Sequence, residues 1–290
     1  MIVLNERAFA EEILRKKSLS NKPYYELFVL AKYFYHCKEY RKEKIEPLLI
    51  EFTRKYCPAY KGNRLKWNIE IAKIVKNAGK HRLYENDGVW ITQAELTTIT
   101  DIHDKVLERL AFVLLCIAKL NNLRNPNNNG WVNHDVKEVF SLAHISCGKT
   151  ARFEKLNQLH RLGLLEFPRR LDVINYRVTF IDKDSELEYF IFDFRELGYE
   201  YMKICGEDFI RCQECGILIR NNKNGTKKYC QDCASYTPKG VKTLVCVDCG
   251  QEVRIKAKNT RAIRCGECQK AYRREKVLEN VHRYRESKKV

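Results

Sequence analysis

Eight of the chain's thirteen cysteines fall into four Cys-x-x-Cys pairs in its last third: Cys212/Cys215, Cys230/Cys233, Cys246/Cys249 and Cys265/Cys268. Two intervening residues let both sulfurs of a pair face one point, and four converging thiolates are the donor set of a tetrahedral zinc ion. Gly216 and Gly250 follow the second cysteine of two pairs. With no Cβ, such a residue takes the tight turn that swings backbone N–H groups towards the sulfurs. The gaps are nearly equal, 14 residues from Cys215 to Cys230 and 15 from Cys249 to Cys265. Each gap has the length of a short hairpin, the first with a turn at Asn221–Gly225 and the second with an extended basic stretch, Val253–Lys256. The pattern predicts two consecutive four-cysteine modules and two zinc ions. Whether each ion takes neighbouring pairs or alternate, cross-braced ones stays open at this point.

Disulfide frameworks belong to exported chains. Met1–Glu12 carries acids and no long apolar stretch, so it does not read as a secretory signal. The longest apolar run, Leu110–Ala118, falls far short of the roughly 20 residues that span a bilayer. A reducing, cytoplasmic setting without a membrane partner is therefore expected. Cys37, Cys57, Cys116, Cys147 and Cys205 are expected to be free thiols that pack.

At 290 residues the chain has room for two or three domains, so metal is needed only for the parts too small to bury much apolar surface. The formal charge is +17; eight thiolates and two divalent ions lower it to about +13. Residues 205–290 hold 20 Lys/Arg against 10 Asp/Glu, whereas the rest hold 34 against 27. A basic excess concentrated around metal modules suits a polyanion, above all nucleic acid.

From Phe9 to about Gly79 the pattern is helical: one helix opens at Pro23, a second covers about Ile45–Tyr56 and a third Leu65–Val75, with Trp67, Ile71 and Val75 on one face. The aromatic cluster around Tyr24, Phe28 and Tyr35 sits at helical spacing and reads as core rather than as a base-stacking platform. Asp101–Leu120 reads as a buried helix, followed by an Asn-rich loop closing at Gly130. Trp131–Asn133 reads as a short strand and His134–His144 as a helix. A turn at Ser146–Gly148 leads into a helix from Lys149 to about Leu162, stopped by Gly163. Tyr176, Val178 and Phe180 alternate with Arg177 and Thr179, as in a half-buried strand. Tyr189–Phe194 reads as a strand and Arg195–Lys203 as a short helix.

The order helix, strand, helix, tight turn, helix, hairpin over residues 101–183 resembles a winged helix-turn-helix. The stretch Leu159-His160-Arg161-Leu162-Gly163-Leu164-Leu165-Glu166 is similar to the end of the recognition helix in bacterial winged-helix proteins. That resemblance implies a helix entering the DNA major groove and a basic wing on the backbone. Lys149, Thr150, Arg152, Lys155 and Gln158 fall on the turns that would face bases, and Arg169 and Arg170 in or beside the wing. Glu154 among them would repel phosphates yet suits a cytosine amino group.

Ala143–Thr150 fits a relaxed phosphate-loop pattern. The pattern requires a strand directly before it, and Val136–Ala143 has helical period, so no nucleotide hydrolysis is expected. The segments Gly206–Gly216 and Lys227–Cys233 resemble the tails of uncharacterised zinc-ribbon proteins of phages and mobile elements of Gram-positive bacteria. After Cys268 a basic helix runs from about Gln269 to Lys288, as after the second Cys-x-x-Cys of a treble-clef-like module. Its stripe is Val277, Val281 and Tyr284, and Arg273, Arg274 and Lys276 carry charge for phosphate contact.

The expected architecture is mainly α with small β elements. It comprises a helical N-terminal domain (1–100), a winged helix (101–183), a connecting strand and helix (184–204), and two zinc-ribbon or treble-clef-like modules (205–240 and 241–290), the second ending in the basic helix. The expected function is that of a non-enzymatic, zinc-binding protein that binds double-stranded DNA sequence-specifically, in the regulatory or replication-associated role of a phage or mobile element that the resemblance implies. The alternatives are an inhibitor or adaptor acting on a host protein, and an RNA-binding protein.

Overall fold

The computed structural model describes residues 2–20, 22–168, 175–222, 224–236, 241–256, 259 and 261–287. It is mainly helical, with small antiparallel sheets, and divides into two units, Met1–Phe209 and Ile210–Val290.

The first unit holds two apolar cores. Helices α1 (Glu6–Lys16), α2 (Pro23–His36), α3 (Lys42–Tyr56) and α4 (Arg64–Ala78) enclose one of them, with α2 packed against the other three. Leu27, Leu30, Ile45, Leu49 and Ile71 are fully buried there. The aromatic cluster packs in part: Phe28 and Tyr35 lie against this core, while Tyr24, 42% exposed, stacks on Trp67 at 4.7 Å from outside it. Burial pushes the Tyr25 phenol up to about 12.

The second core surrounds α6 (Lys105–Arg124), whose run Leu110–Ala118 is buried on every side. This helix starts four residues later than its apolar pattern implies. His103 takes φ 54°, and the Asp104 carboxylate caps the N–H groups of Val106 and Leu107. Before it come β1 (Val89–Thr92) and α5 (Gln93–Thr100), joined by a capping box in which Thr92 and Glu95 exchange hydrogen bonds. Strand β1 pairs antiparallel with β5 (Leu187–Ile191).

Between those strands the chain runs through β2 (Trp131–Val132), α7 (Val136–Leu142), α8 (Lys149–Arg161), β3 (Leu165–Glu166) and β4 (Tyr176–Val178). The last strand lies between the other two, giving the sheet order β2-β4-β3, both pairings antiparallel. Helix α9 (Leu197–Ile204) then returns to α6, where the Tyr201 hydroxyl donates to the buried Glu108 carboxylate at 2.6 Å. Gly198 lets α9 press on the end of α7: a Cβ there would lie 2.7 Å from the Ala143 carbonyl. Within the first core Lys32 donates to Glu6 at 2.5–2.6 Å, and Glu6 also accepts the Tyr84 N–H; a polar link from Lys22 to Glu138 of α7, at 3.0 Å, joins the two cores.

The second unit carries two hairpins, β6–β7 (Phe209–Arg211 with Leu218–Arg220) and β8–β9 (Val241–Val245 with Glu252–Lys256). Helices α10 (Gln231–Tyr236) and α11 (Gly266–Ser287) follow them in turn. Neither hairpin lies within a cysteine gap, where gap length had placed it. Each straddles the first Cys-x-x-Cys pair of its module, because the cysteine turn itself reverses the chain.

Candidate metal centres and nucleic-acid interface

Both metal candidates are built alike. In the first, Cys212 donates its N–H to the Ile217 carbonyl, and the Gly216 N–H returns to Cys212 O at 2.9 Å. In the second, Cys246 N–H goes to Gln251 O and Gly250 N–H to Cys246 O, again at 2.9 Å. The two glycines take φ 69° and 70°, the left-handed region in which an L side chain is strained. Each remaining pair sits at a helix start. Ala234 N–H bonds Cys230 O as α10 begins, and Gln269 N–H bonds Cys265 O as α11 begins. In the first module, Asn222 Oδ1 also accepts the N–H groups of Thr226 and Lys227, closing the loop that brings Cys230 back.

The sulfurs of Cys212, Cys215, Cys230 and Cys233 all lie within 4.8 Å of one another, as do those of Cys246, Cys249, Cys265 and Cys268. Ligands therefore come from neighbouring pairs, and the cross-braced alternative falls away. A tetrahedron with metal–sulfur arms of about 2.3 Å has edges of about 3.8 Å. Cys215–Cys230 and Cys249–Cys265 are each 3.8 Å apart, far beyond a disulfide bond, and none of the eight cysteines forms a disulfide. Both sets fit one tetrahedral ion each.

The fixed N–H groups also prepare the thiols. Burial pushes the Cys212 thiol up, but the N–H groups of Cys215, Cys230 and Glu214 outweigh it and lower it to about 6. The Cys265 N–H chiefly lowers the Cys246 thiol, likewise to about 6, aided by Cys249 and Asp248.

On α8, Leu156 and Leu159 point into the second core. Lys149, Thr150 and Gln158 are exposed, while Arg152 and Lys155 are half-buried. The Nε of Arg152 is enclosed and has no hydrogen-bond partner among the described residues. Glu154, Asn157 and Arg161 complete the exposed face; stepping by three and four from Thr150 would have found the last two. Arg169 and Arg170 lie outside the described residues. Beside them in sequence, Arg177 bridges β4 to β3 through Glu166 at 2.9 Å. Val136–Leu142, ahead of the phosphate-loop-like stretch, is helical.

Arg273, Arg274 and Lys276 lie exposed on α11, with Lys276 paired to Glu279 at 2.6 Å. The anticipated stripe on this helix is uncovered: Val277 is 60% exposed, and Leu278 beside it 70%. Among the described residues no helix is long and apolar enough to cross a membrane.

Compared with protein-family models, curated proteins and solved structures, the chain matches none. Its fold and sites define a mainly helical protein with two four-cysteine sites, each able to hold a metal ion.

Proposed function

We propose that the protein binds double-stranded DNA sequence-specifically, through a winged helix-turn-helix spanning α6 to β4, and that zinc fills both four-cysteine sites. Zinc suits four thiolates at tetrahedral spacing and supplies folding energy to modules with little apolar core. The observation that carries the DNA reading is the sequence of elements α6, β2, α7, α8, β3, β4 with the sheet order β2-β4-β3. It leaves α8 with one face in the core and Lys149, Thr150 and Gln158 outward. In this reading α8 faces the major groove, and Arg273, Arg274 and Lys276 hold phosphates without reading bases. The protein acts by occupying DNA rather than by catalysis. A protein partner is the second reading, favoured by the uncovered Val277 and Leu278 on α11.

Selection from a random duplex library tests the assignment. Wild type should enrich a sequence, and Arg152→Ala should relax it, costing about 1–3 kcal/mol on the preferred site and little on random DNA. The double change Arg273→Ala/Arg274→Ala should weaken every sequence alike. Enrichment of no sequence by the wild type overturns the reading.

A further inference from the structure

A groove of about 900 Å³ opens beside the β1–β5 ribbon in the first unit; α6 and β4 contribute to its lining through Lys119 and Arg177, and no residue of α8 does. Its wall is aromatic where the ribbon turns outward. Trp90 and Phe190 are register partners on the face opposite Val89 and Ile191, which enter the core. Their rings tilt against each other at 4.9 Å, and Trp90 remains 45% exposed. Gly88 makes room for this pair, since a Cβ there would meet the Phe190 ring at 2.8 Å. A large aromatic left in solvent on a ribbon whose other face is buried is a stacking surface without its stack.

The polar groups around it narrow the ligand. Basic side chains in the lining are matched by acidic ones, Lys119, Arg177 and Lys183 against Glu85, Asp87 and Asp182. Two of the three cations are engaged elsewhere, Lys119 with Glu95 at 2.7 Å and Arg177 with Glu166. A groove so balanced does not select a phosphate chain. It also holds an orphan acceptor: Asn86 lines it, and its Oδ1, closed to solvent as the side chain stands, has no hydrogen-bond partner among the described residues. Leaving such an atom unpaired costs free energy that a ligand N–H would recover. A flat, uncharged, polar group with N–H donors on its edge satisfies both demands.

We propose that this groove binds a nucleobase stacked on Trp90, towards which the Asn86 amide turns so that its Oδ1 accepts an edge N–H. The base comes either from a free nucleotide or from a single strand, and the chemistry recognised is the same. Stacking of a base on an aromatic ring is tolerant of sequence, so the site adds a grip on unpaired nucleic acid distinct from duplex reading.

Fluorescence titration of the full-length, zinc-loaded protein provides the test, with adenosine monophosphate and a single-stranded tetradeoxyadenylate as probes. Trp67 is buried and Trp131 half-buried, so quenching that disappears in Trp90→Leu assigns the signal to Trp90. Saturable quenching by both probes assigns the site to free nucleotides. Quenching by the tetranucleotide alone assigns it to a strand. Trp90→Leu should weaken binding about tenfold or more, as loss of one stacking partner does, with an unchanged melting temperature. Asn86→Leu should weaken binding of the adenine probes while barely affecting a probe built from N6,N6-dimethyladenine, which has no amino N–H to donate. Absence of saturable binding by either probe overturns the proposal, as does calorimetric binding unchanged in Trp90→Leu. Binding to the selected preferred duplex, measured alongside, keeps the two readings apart: it should survive Trp90→Leu and fall in Arg152→Ala.

Discussion

Cys212 and Cys246 are the residues at which backbone geometry becomes chemistry. Both thiols lie near 6, below the ordinary thiol value, because folded N–H groups favour the thiolate. A depressed acid contributes stability fully above its unfolded value and loses it as pH falls through its folded value. Protons therefore compete with metal at these sulfurs: zinc affinity should fall as pH drops, more steeply once pH passes below about 6, and competition with a chromogenic chelator across pH measures it. A separate check removes one ligand. Cys212→Ser should lower bound zinc from two ions per chain to one by elemental analysis, and should unfold the first module while Met1–Phe209 melts as before. At this scale the sequence was most informative, since spacing alone named all eight cysteines that converge into the two sites. It did not locate the hairpins: strands as short as Phe209–Arg211 and Leu218–Arg220 are too brief for alternation to declare itself. What fixes them is the cysteine turn between.

Among the elements, α9 depends on one missing side chain. Gly198→Ala would set a Cβ 2.7 Å from the Ala143 carbonyl carbon and oxygen, and backbone cannot step aside as a side-chain tip can. The change should cost about 1–3 kcal/mol in a denaturant melt, and because α9 also carries Tyr201 to Glu108, the loss should appear in near-ultraviolet dichroism. Helix α8 was legible almost to the residue because Gly148 and Gly163 bracket it, the latter at φ 75°. The β1–α5 pair was not read. A four-residue strand gives no period to count, and the signal that was present, Thr92 three residues before Glu95, marks only the start of the helix. The turn from α5 into α6 was hidden for a related reason, since the buried run of α6 masks where its polar first turn begins.

The whole molecule comprises a doubly cored unit and one whose described apolar core is slight: Leu218 and Ile219 are its main buried aliphatic side chains among the described residues. With zinc bound the chain still carries about +13, so duplex affinity should be strongly salt-dependent. About six phosphate contacts give a slope of log K against log salt near −5, and titration of labelled duplex across several salt concentrations measures it. The Arg273→Ala/Arg274→Ala protein should show a slope shallower by at most about two. The order of the two units also sets a timetable. At ribosomal speeds of about 5–20 residues per second, Ile210–Val290 follows Met1–Phe209 by some 4–16 s. The large unit has time to fold on contacts of its own, while the tail arrives as eight reduced thiols with little core to close around. During that interval the nascent tail is a chelator before it is a structure, and the local supply of free metal decides how long it stays one.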